Sequence, residues 1–374
     1  MTTATNTSSH RGPGATFRRE LVRPWTKDHD LTDVLTVPVF DERFTDHMVL
    51  IDWDEQAGWH DPRVTAYGAL PLDPAAAVLH YGLEIFEGLK AYRHPDGSVW
   101  AFRPERNAAR FRHSARRLAL PELSEDLFLE AIRQLVEVDR SWVPSMPGTT
   151  LYLRPMLVAT DPFIGLRTPQ RAQFVLIAGP TGPLHPTDEG VSMWVSSQYS
   201  RAGQGGTGAA KCGGNYASSL VALQEAVANG CAQVLFLDAA TGSWLEEAGN
   251  MNIFLVRRDG TLVTPPLGET ILAGVTRASI IELARQAGHH VEERPIALQE
   301  WRTGVTDGTI TEAFACGTAA VITAIGQLRS TDGVIPAPTI GWGPVTAWLH
   351  ERLTGIQFGQ VPDENEWMVR LVRP

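Results

Sequence analysis

Cysteine is scarce in this chain: Cys212, Cys231 and Cys316 are the three in 374 residues, far apart, with no C-x-x-C pair and no metal-ligand spacing. A disulfide framework and a cysteine-based metal centre are thereby excluded, and no metal site is read elsewhere. Long apolar runs are missing too. No stretch is long enough to span a bilayer, and the opening residues Met1 to Phe17 lack the apolar core of a secretory signal. These absences lead us to expect a cytoplasmic protein with no membrane partner and a mobile tail over residues 1–16. Positive charge is in short supply: 32 Lys and Arg against 42 Asp and Glu give a formal charge of -10 and a pI near 5.6. Surfaces that grip nucleic-acid phosphates or anionic lipid need the opposite balance, so the expected partners are small molecules and copies of the chain itself.

What is present is ordinary globular material, 43% hydrophobic and 20% charged, in a length that suits two domains. Strands are expected at Met48–Trp53, Leu89–Tyr92, Val99–Phe102, Thr149–Val158 and Gln173–Ala178, with a helical run at Pro74–His80. Helices with apolar residues at helical spacing follow at Arg103–Leu118 and Glu125–Val138, the second with Ser124 as N-cap. Gly, Pro, Thr and His crowd residues 179–190, which reads as a connection between a smaller unit, 17–178, and a larger one, 191–374. Beyond it come strands at Val191–Ser196, Gln233–Leu237, Asn252–Val256 and Thr261–Thr264. Helices are expected at Gly214–Asn229 and Thr276–Ala287, the latter stopped by Gly288. Interleaved strands and helices predict two α/β or α+β domains with a cleft between them.

The densest chemical pattern is the glycine-rich run from Gly203 to Tyr216, with Lys211 inside it. A lysine approached closely by backbone and drawn out of water loses its charge, which Schiff-base chemistry requires. Three other readings compete. Gly203, Gly205 and Gly208 satisfy G-x-G-x-x-G, with Asp238 closing the next strand, but the helix begins too late after Gly208 for a dinucleotide fold. A phosphate-binding P-loop fails because Ala210 and Cys212 flank the lysine. A flexible surface loop with a solvated lysine fits the pattern equally well.

The wider string separates them. Lys211-Cys-Gly-Gly-Asn-Tyr216, Glu247-Ala-Gly-Asn-Met-Asn252 and Leu272-Ala-Gly-Val-Thr-Arg277, in that order, resemble the blocks of branched-chain amino acid aminotransferases, fold type IV enzymes dependent on pyridoxal 5'-phosphate. His80 to Lys90, Phe102-Arg-Pro, Tyr152-Leu-Arg-Pro155 and Cys316-Gly-Thr-Ala319 extend the likeness from about Phe44 to the C-terminal region. The resemblance implies a two-domain fold with the cofactor in the interdomain cleft, acting on a branched-chain or similar hydrophobic L-amino acid and 2-oxoglutarate. It makes Lys211 the lysine joined to the cofactor and the carrier of the substrate's α-proton. Glu247 pairs with the ring nitrogen, and Tyr216 bonds the phenolic oxygen. Arg103, Val275, Thr276 and Thr318 hold the phosphate, the valine and threonine through N–H groups at a helix start.

For substrate, Tyr152 and Arg154 lie two apart on a strand and so share a face. The arginine suits a distal carboxylate. By resemblance Phe44, Phe86 and, from the partner subunit of a homodimer, Tyr81 form the apolar lining, while Asn250 and Ala319 complete the substrate site. Taken singly, Phe44 and Phe86 are more often core residues than ligand contacts, a solvated strand end is the commoner fate of a residue like Glu247, and Arg103 reads as a surface charge. Two departures stand out. Gly182-Pro-Leu-His-Pro186 replaces an aromatic pair common in the family, leaving room for aromatic, β-substituted or D-amino acids. Ala320 and Thr323 replace the redox cysteine pair of some members.

Overall fold

The computed structural model describes residues 16–21, 28–36, 38–39, 42–182 and 190–374. Two nine-stranded sheets organise them. The first runs Arg18–Arg19, Gly58–Ala66, His47–Asp54, Arg171–Thr181, Thr150–Ala159, Leu89–Arg93, Val99–Phe102, Met368–Val372, with Glu84–Phe86 paired to Thr150–Ala159. Strand alternation explains its layering: Val49 and Ile51 face the main core, while Met48 and Leu50 pack with Val175 on the opposite face.

Two helices cover the core side. Pro104–Arg117 turns Ala108, Phe111 and Ala115 inward, and Glu125–Val138 does the same with Phe128, Ala131, Ile132 and Leu135. Ser124 Oγ accepts from Leu127 N at 3.3 Å to cap the second. Phe111 lies 5.3 Å from Phe128 and 5.8 Å from Phe174, ring to ring, which locks both helices to the sheet.

The second sheet runs Leu245–Ala248, Gln233–Leu237, Val191–Val195, Val321–Ser330, Ile310–Gly317, Asn252–Arg257, Leu262–Thr264, Val291–Glu293, with Gly333–Ile335 on Val321–Ser330. Ile253 and Leu255 pack under Trp301 on one face, and Phe254 and Val256 meet Leu349 and Leu353 of the helix Pro344–Gln357 on the other.

Several elements differ from expectation. The helix expected at Gly214–Asn229 is two, Gly213–Ala217 and Leu220–Ala228. Ser218 and Ser219 hydroxyls donate to Asn215 O and Tyr216 O at the break, satisfying carbonyls that a continuous helix would claim. The run at Pro74–His80 is helical only over Ala77–Tyr81, because Ala76 is extended and bridged to Pro162. Arg171–Thr181 stays paired through Gly179–Thr181, so the connection placed at 179–190 starts later. Most of that connection, and the 183–186 part of the altered loop, lie outside the described residues, as do 1–15 of the expected tail. Met368–Val372 returns to the first sheet, although the sequence reading put everything after 191 in the second unit.

The two sheets meet along a seam of hydrogen bonds. Thr318 Oγ1 donates to Gly88 O at 3.1 Å, Lys90 Nζ to Ala319 O at 2.8 Å, Arg103 Nη1 to Ser279 Oγ at 2.8 Å, and Lys211 N to Ser114 Oγ at 2.9 Å.

Candidate active site

Lys211 sits on this seam, at the end of the glycine-rich loop and just before the short helix Gly213–Ala217. Its backbone is held from both sides, N to Ser114 Oγ and O from Phe86 N at 2.9 Å. The amine donates to Tyr216 Oη at 2.6 Å and lies 4.8 Å from the Phe86 ring centre. Burial, then the positive charges of Arg110 and Arg154, lower its pKa to about 7, against the opposing pull of Glu87 and Glu247. An amine so placed is substantially neutral near pH 7. Burial, with Glu247 nearby, holds the Tyr216 phenol well above its ordinary range.

Glu247, on the strand Leu245–Ala248, is 2% exposed. Its Oε1 accepts from Asn252 Nδ2 and Leu272 N, each at 3.0 Å. Oε2 lies 2.6 Å from Arg201 Nε yet takes part in no well-directed hydrogen bond among the described residues. Arg201 is spent otherwise on Thr270 O at 2.8 Å and Gly208 O. Burial raises the Glu247 carboxyl to about 7, with Arg201 and the Leu272 N–H opposing. A buried carboxylate oxygen without a directed donor is a place for a ligand's N–H.

A second group gathers at the N-terminus of the helix Val275–Gln286. Val275, Thr276 and Thr318 line one small cavity with Lys90 and Asn107. Arg103 borders this region through Ser279, one helical turn on, and its Nε is buried without a partner among the described residues. Its backbone is left-handed, φ 47°, as it caps the helix Pro104–Arg117.

Toward the substrate side, Arg154 Nη2 is 3.4 Å from Tyr152 Oη, and its guanidinium lies 4.9 Å from the Phe86 ring. Phe86, Tyr152, Arg154, Lys211 and Tyr216 thus share one wall. Ala319 follows Thr318 in the turn after Ile310–Gly317, its carbonyl tied to Lys90. The remaining residues stand apart. Phe44 is 37% exposed and stacks on Tyr67, Asn250 is an exposed turn residue, and Tyr81, 38% exposed, rests against Phe163.

Sequence reasoning missed Arg201, Asn252, Ser114, Lys90 and the Glu87–Arg110 pair. Asn252 and Lys90 lie inside the motif strings themselves, so polar residues in those strings were the available signal. Asp238, which a dinucleotide reading needs at a ribose, is occupied by the N–H groups of Thr241, Ser243 and Trp244 at 2.7–2.8 Å. Among the described residues no helix is long and apolar enough to cross a membrane, and no cluster of His, Cys, Asp or Glu is placed to hold a metal.

The chain is similar to known proteins over most of its length. Residues 84–328 match the model of the amino-transferase class IV family. A branched-chain-amino-acid aminotransferase of Mycolicibacterium smegmatis is 50% identical over 343 residues, covering 90% of this chain and 93% of that protein. The branched-chain amino acid aminotransferase of Escherichia coli superposes with a TM-score of 0.72 at 27% identity, covering 87% of this chain and 99% of that one. A T.th. branched-chain amino acid aminotransferase with pyridoxamine 5'-phosphate does so with a TM-score of 0.70 at 26% identity, over 86% and 98% of the two chains. The chain therefore belongs to the class IV aminotransferases, in the family of the branched-chain-amino-acid aminotransferases.

Proposed function

We propose that this protein transfers the amino group of a branched-chain or similarly hydrophobic L-amino acid to 2-oxoglutarate, giving the 2-oxo acid and L-glutamate. Pyridoxal 5'-phosphate is the cofactor, seated between the units built on the two sheets, and the enzyme works as a cytoplasmic homodimer. The observation that carries this reading is the buried Lys211 amine, brought to a pKa of about 7 beside Tyr216 and with Glu247 among its charged neighbours. Names borne by the relatives point the same way.

The residues present suit the cofactor. Glu247 Oε2, with no directed hydrogen bond, fits the ring nitrogen, the Tyr216 hydroxyl fits the phenolic oxygen, and Arg103 Nε with the Val275, Thr276 and Thr318 cavity fits the phosphate. When bound, pyridoxal 5'-phosphate supplies an aldehyde for the lysine amine and a ring that takes up electrons released at the substrate's α-carbon.

The protein's own part is positional and acid–base. Lys211, in the neutral form that a pKa of about 7 makes available, can accept the α-proton and return it one position away. Glu247, whose ionised form Arg201 and two N–H donors favour against burial, would in that form keep a proton on the nitrogen it faces; one charge-assisted bond there is worth about 1.5–3 kcal/mol. Arg154 is the cation for the distal carboxylate of glutamate or 2-oxoglutarate. Phe86 and the Tyr152 ring accept the aliphatic side chain, and Ala319 with its neighbouring backbone meets the α-carboxylate end. Tyr81 reaches the neighbouring subunit's site.

Lys211→Ala tests the assignment. The variant should lose both the near-visible absorbance of the bound cofactor and all turnover with L-leucine. The chain has only three lysines, Lys27, Lys90 and Lys211, so borohydride reduction and peptide mass spectrometry decide the point cleanly. An adduct on Lys90 or Lys27, or none at all, rejects the reading.

A further inference from the structure

Glu87 and Arg110 form an ion pair for which the scheme above has no use. The Glu87 side chain is wholly buried and that of Arg110 is 9% exposed. Arg110 Nε donates to Oε1 at 2.7 Å and Nη2 to Oε2 at 2.9 Å, while Asn107 Nδ2 and Gly88 N reach Oε2 at 2.8 and 3.1 Å. Burial alone would raise the Glu87 carboxyl, but Arg110 and Asn107 hold it below the ordinary range, and Glu87 in turn holds Arg110 charged. Buried pairs of this kind seldom stabilise a fold more than apolar groups of the same size. Position offers a different reason for the charges.

Both members stand on the elements that clasp Lys211. Phe86, whose N–H bonds Lys211 O, is the residue before Glu87, and Ser114, whose hydroxyl bonds Lys211 N, is one helical turn past Arg110. Arg110 also spans the cleft, donating through Nη1 to Ala273 O at 3.0 Å, directly before the Gly274 turn that opens the helix Val275–Gln286.

From this geometry we infer that Glu87 and Arg110 are positioning residues, a fixed pair of opposite charges that sets how tightly the Lys211 nitrogen holds its proton. The inference rests on the role given to Lys211 above. Tyr216 bonds that nitrogen, and Arg110, Glu87, Arg154 and Glu247 are the charged groups whose fields reach it. Arg110 and Arg154 disfavour the proton; Glu87 and Glu247 favour it.

Removing one partner leaves the other uncompensated, so the two single variants must act in opposite directions. In the cofactor-loaded protein, the pH midpoint of the visible absorbance change reads the proton on this nitrogen. Arg110→Met should raise the midpoint by about one pH unit, and Glu87→Gln should lower it by about as much. The double variant should return toward wild type, and Arg110→Lys should stay there. If Arg110→Met does not fold, Arg110→Gln keeps a donor toward Glu87 and must still shift upward. A merely structural pair predicts lowered cofactor loading with unmoved midpoints, or shifts of one sign in both single variants, and either result overturns the proposal. A wild-type protein with no lysine-linked band would sink the reading of Lys211 itself, which the paired shifts cannot mimic.

Discussion

Lys211 must be an amine rather than an ammonium to capture an aldehyde, and solvent alone would keep it protonated until near pH 10.5. Burial and the facing arginines bring the folded value to about 7. The rate at which cofactor-free protein captures pyridoxal 5'-phosphate should therefore climb about tenfold from pH 6 to pH 8 and level off above it. Stopped-flow absorbance checks this: a rate still rising about tenfold per unit between pH 8 and 9 would mean an ordinary solvated lysine. At this scale the motif strings made Lys211, Tyr216 and Glu247 legible, since their spacing is local. Arg201, Ser114 and Arg110 were not, and Glu87 passed unread inside the His80 to Lys90 block. Ser114 and Lys211, or Arg201 and Glu247, are brought together only by the packing of separate elements, and an isolated Arg or Glu in sequence reads as a surface charge.

The hairpin that presents Glu247 depends on Asp238. Its carboxylate follows the strand Gln233–Leu237 and accepts N–H bonds from Thr241, Ser243 and Trp244, so the loop before Leu245–Ala248 closes on it. Burial works against the charge, but the Trp244, Ser243 and Thr241 N–H groups win and depress its pKa to about 2. Since the folded value lies below the unfolded one, the stabilisation is present above about pH 4 and is lost as pH falls through about 2. Asp238→Ala should cost about 1–2 kcal/mol at pH 7, after allowing for partial exposure, and the gap to wild type should narrow at pH 3. Urea titrations at the two pH values measure it; an undiminished gap at pH 3 would remove the charge from the explanation.

Elements with a clean helical period were readable from sequence, Glu125–Val138 to the residue and Pro104–Arg117 within one. Alternation finds no strand over 310–330, because Ile310–Gly317 and Val321–Ser330 are buried on both faces and their apolar runs carry no period of two. The helix Pro344–Gln357 escapes for the converse reason. It buries Thr346, Gly355 and Gln357 among its apolar residues, which blurs the stripe.

On the scale of the whole molecule, the surface around Tyr81 is where the proposed homodimer can be tested. Leu79 is 59% exposed, Ile164 80% and Leu166 89%, on segments joined by the Ala76–Pro162 bridge and the Tyr81–Phe163 contact. Solvent-facing apolar groups gathered in this way favour burial against a partner. A second copy would cover them and carry Tyr81 toward the neighbour's Phe86 and Arg154. Sedimentation should then give twice the 40.9 kDa of one chain. The sharper test mixes two inactive or weakened proteins, Lys211→Ala and Tyr81→Ala, under conditions that exchange subunits. If Tyr81 serves the opposite site, each hybrid dimer holds one site with both defects and one with neither, and activity returns to about half that of wild type per hybrid. If Tyr81 serves its own site, both sites of the hybrid stay defective. Mixtures no more active than the Tyr81→Ala protein alone would place Tyr81 in its own subunit and leave the exposed apolar cluster to be explained otherwise.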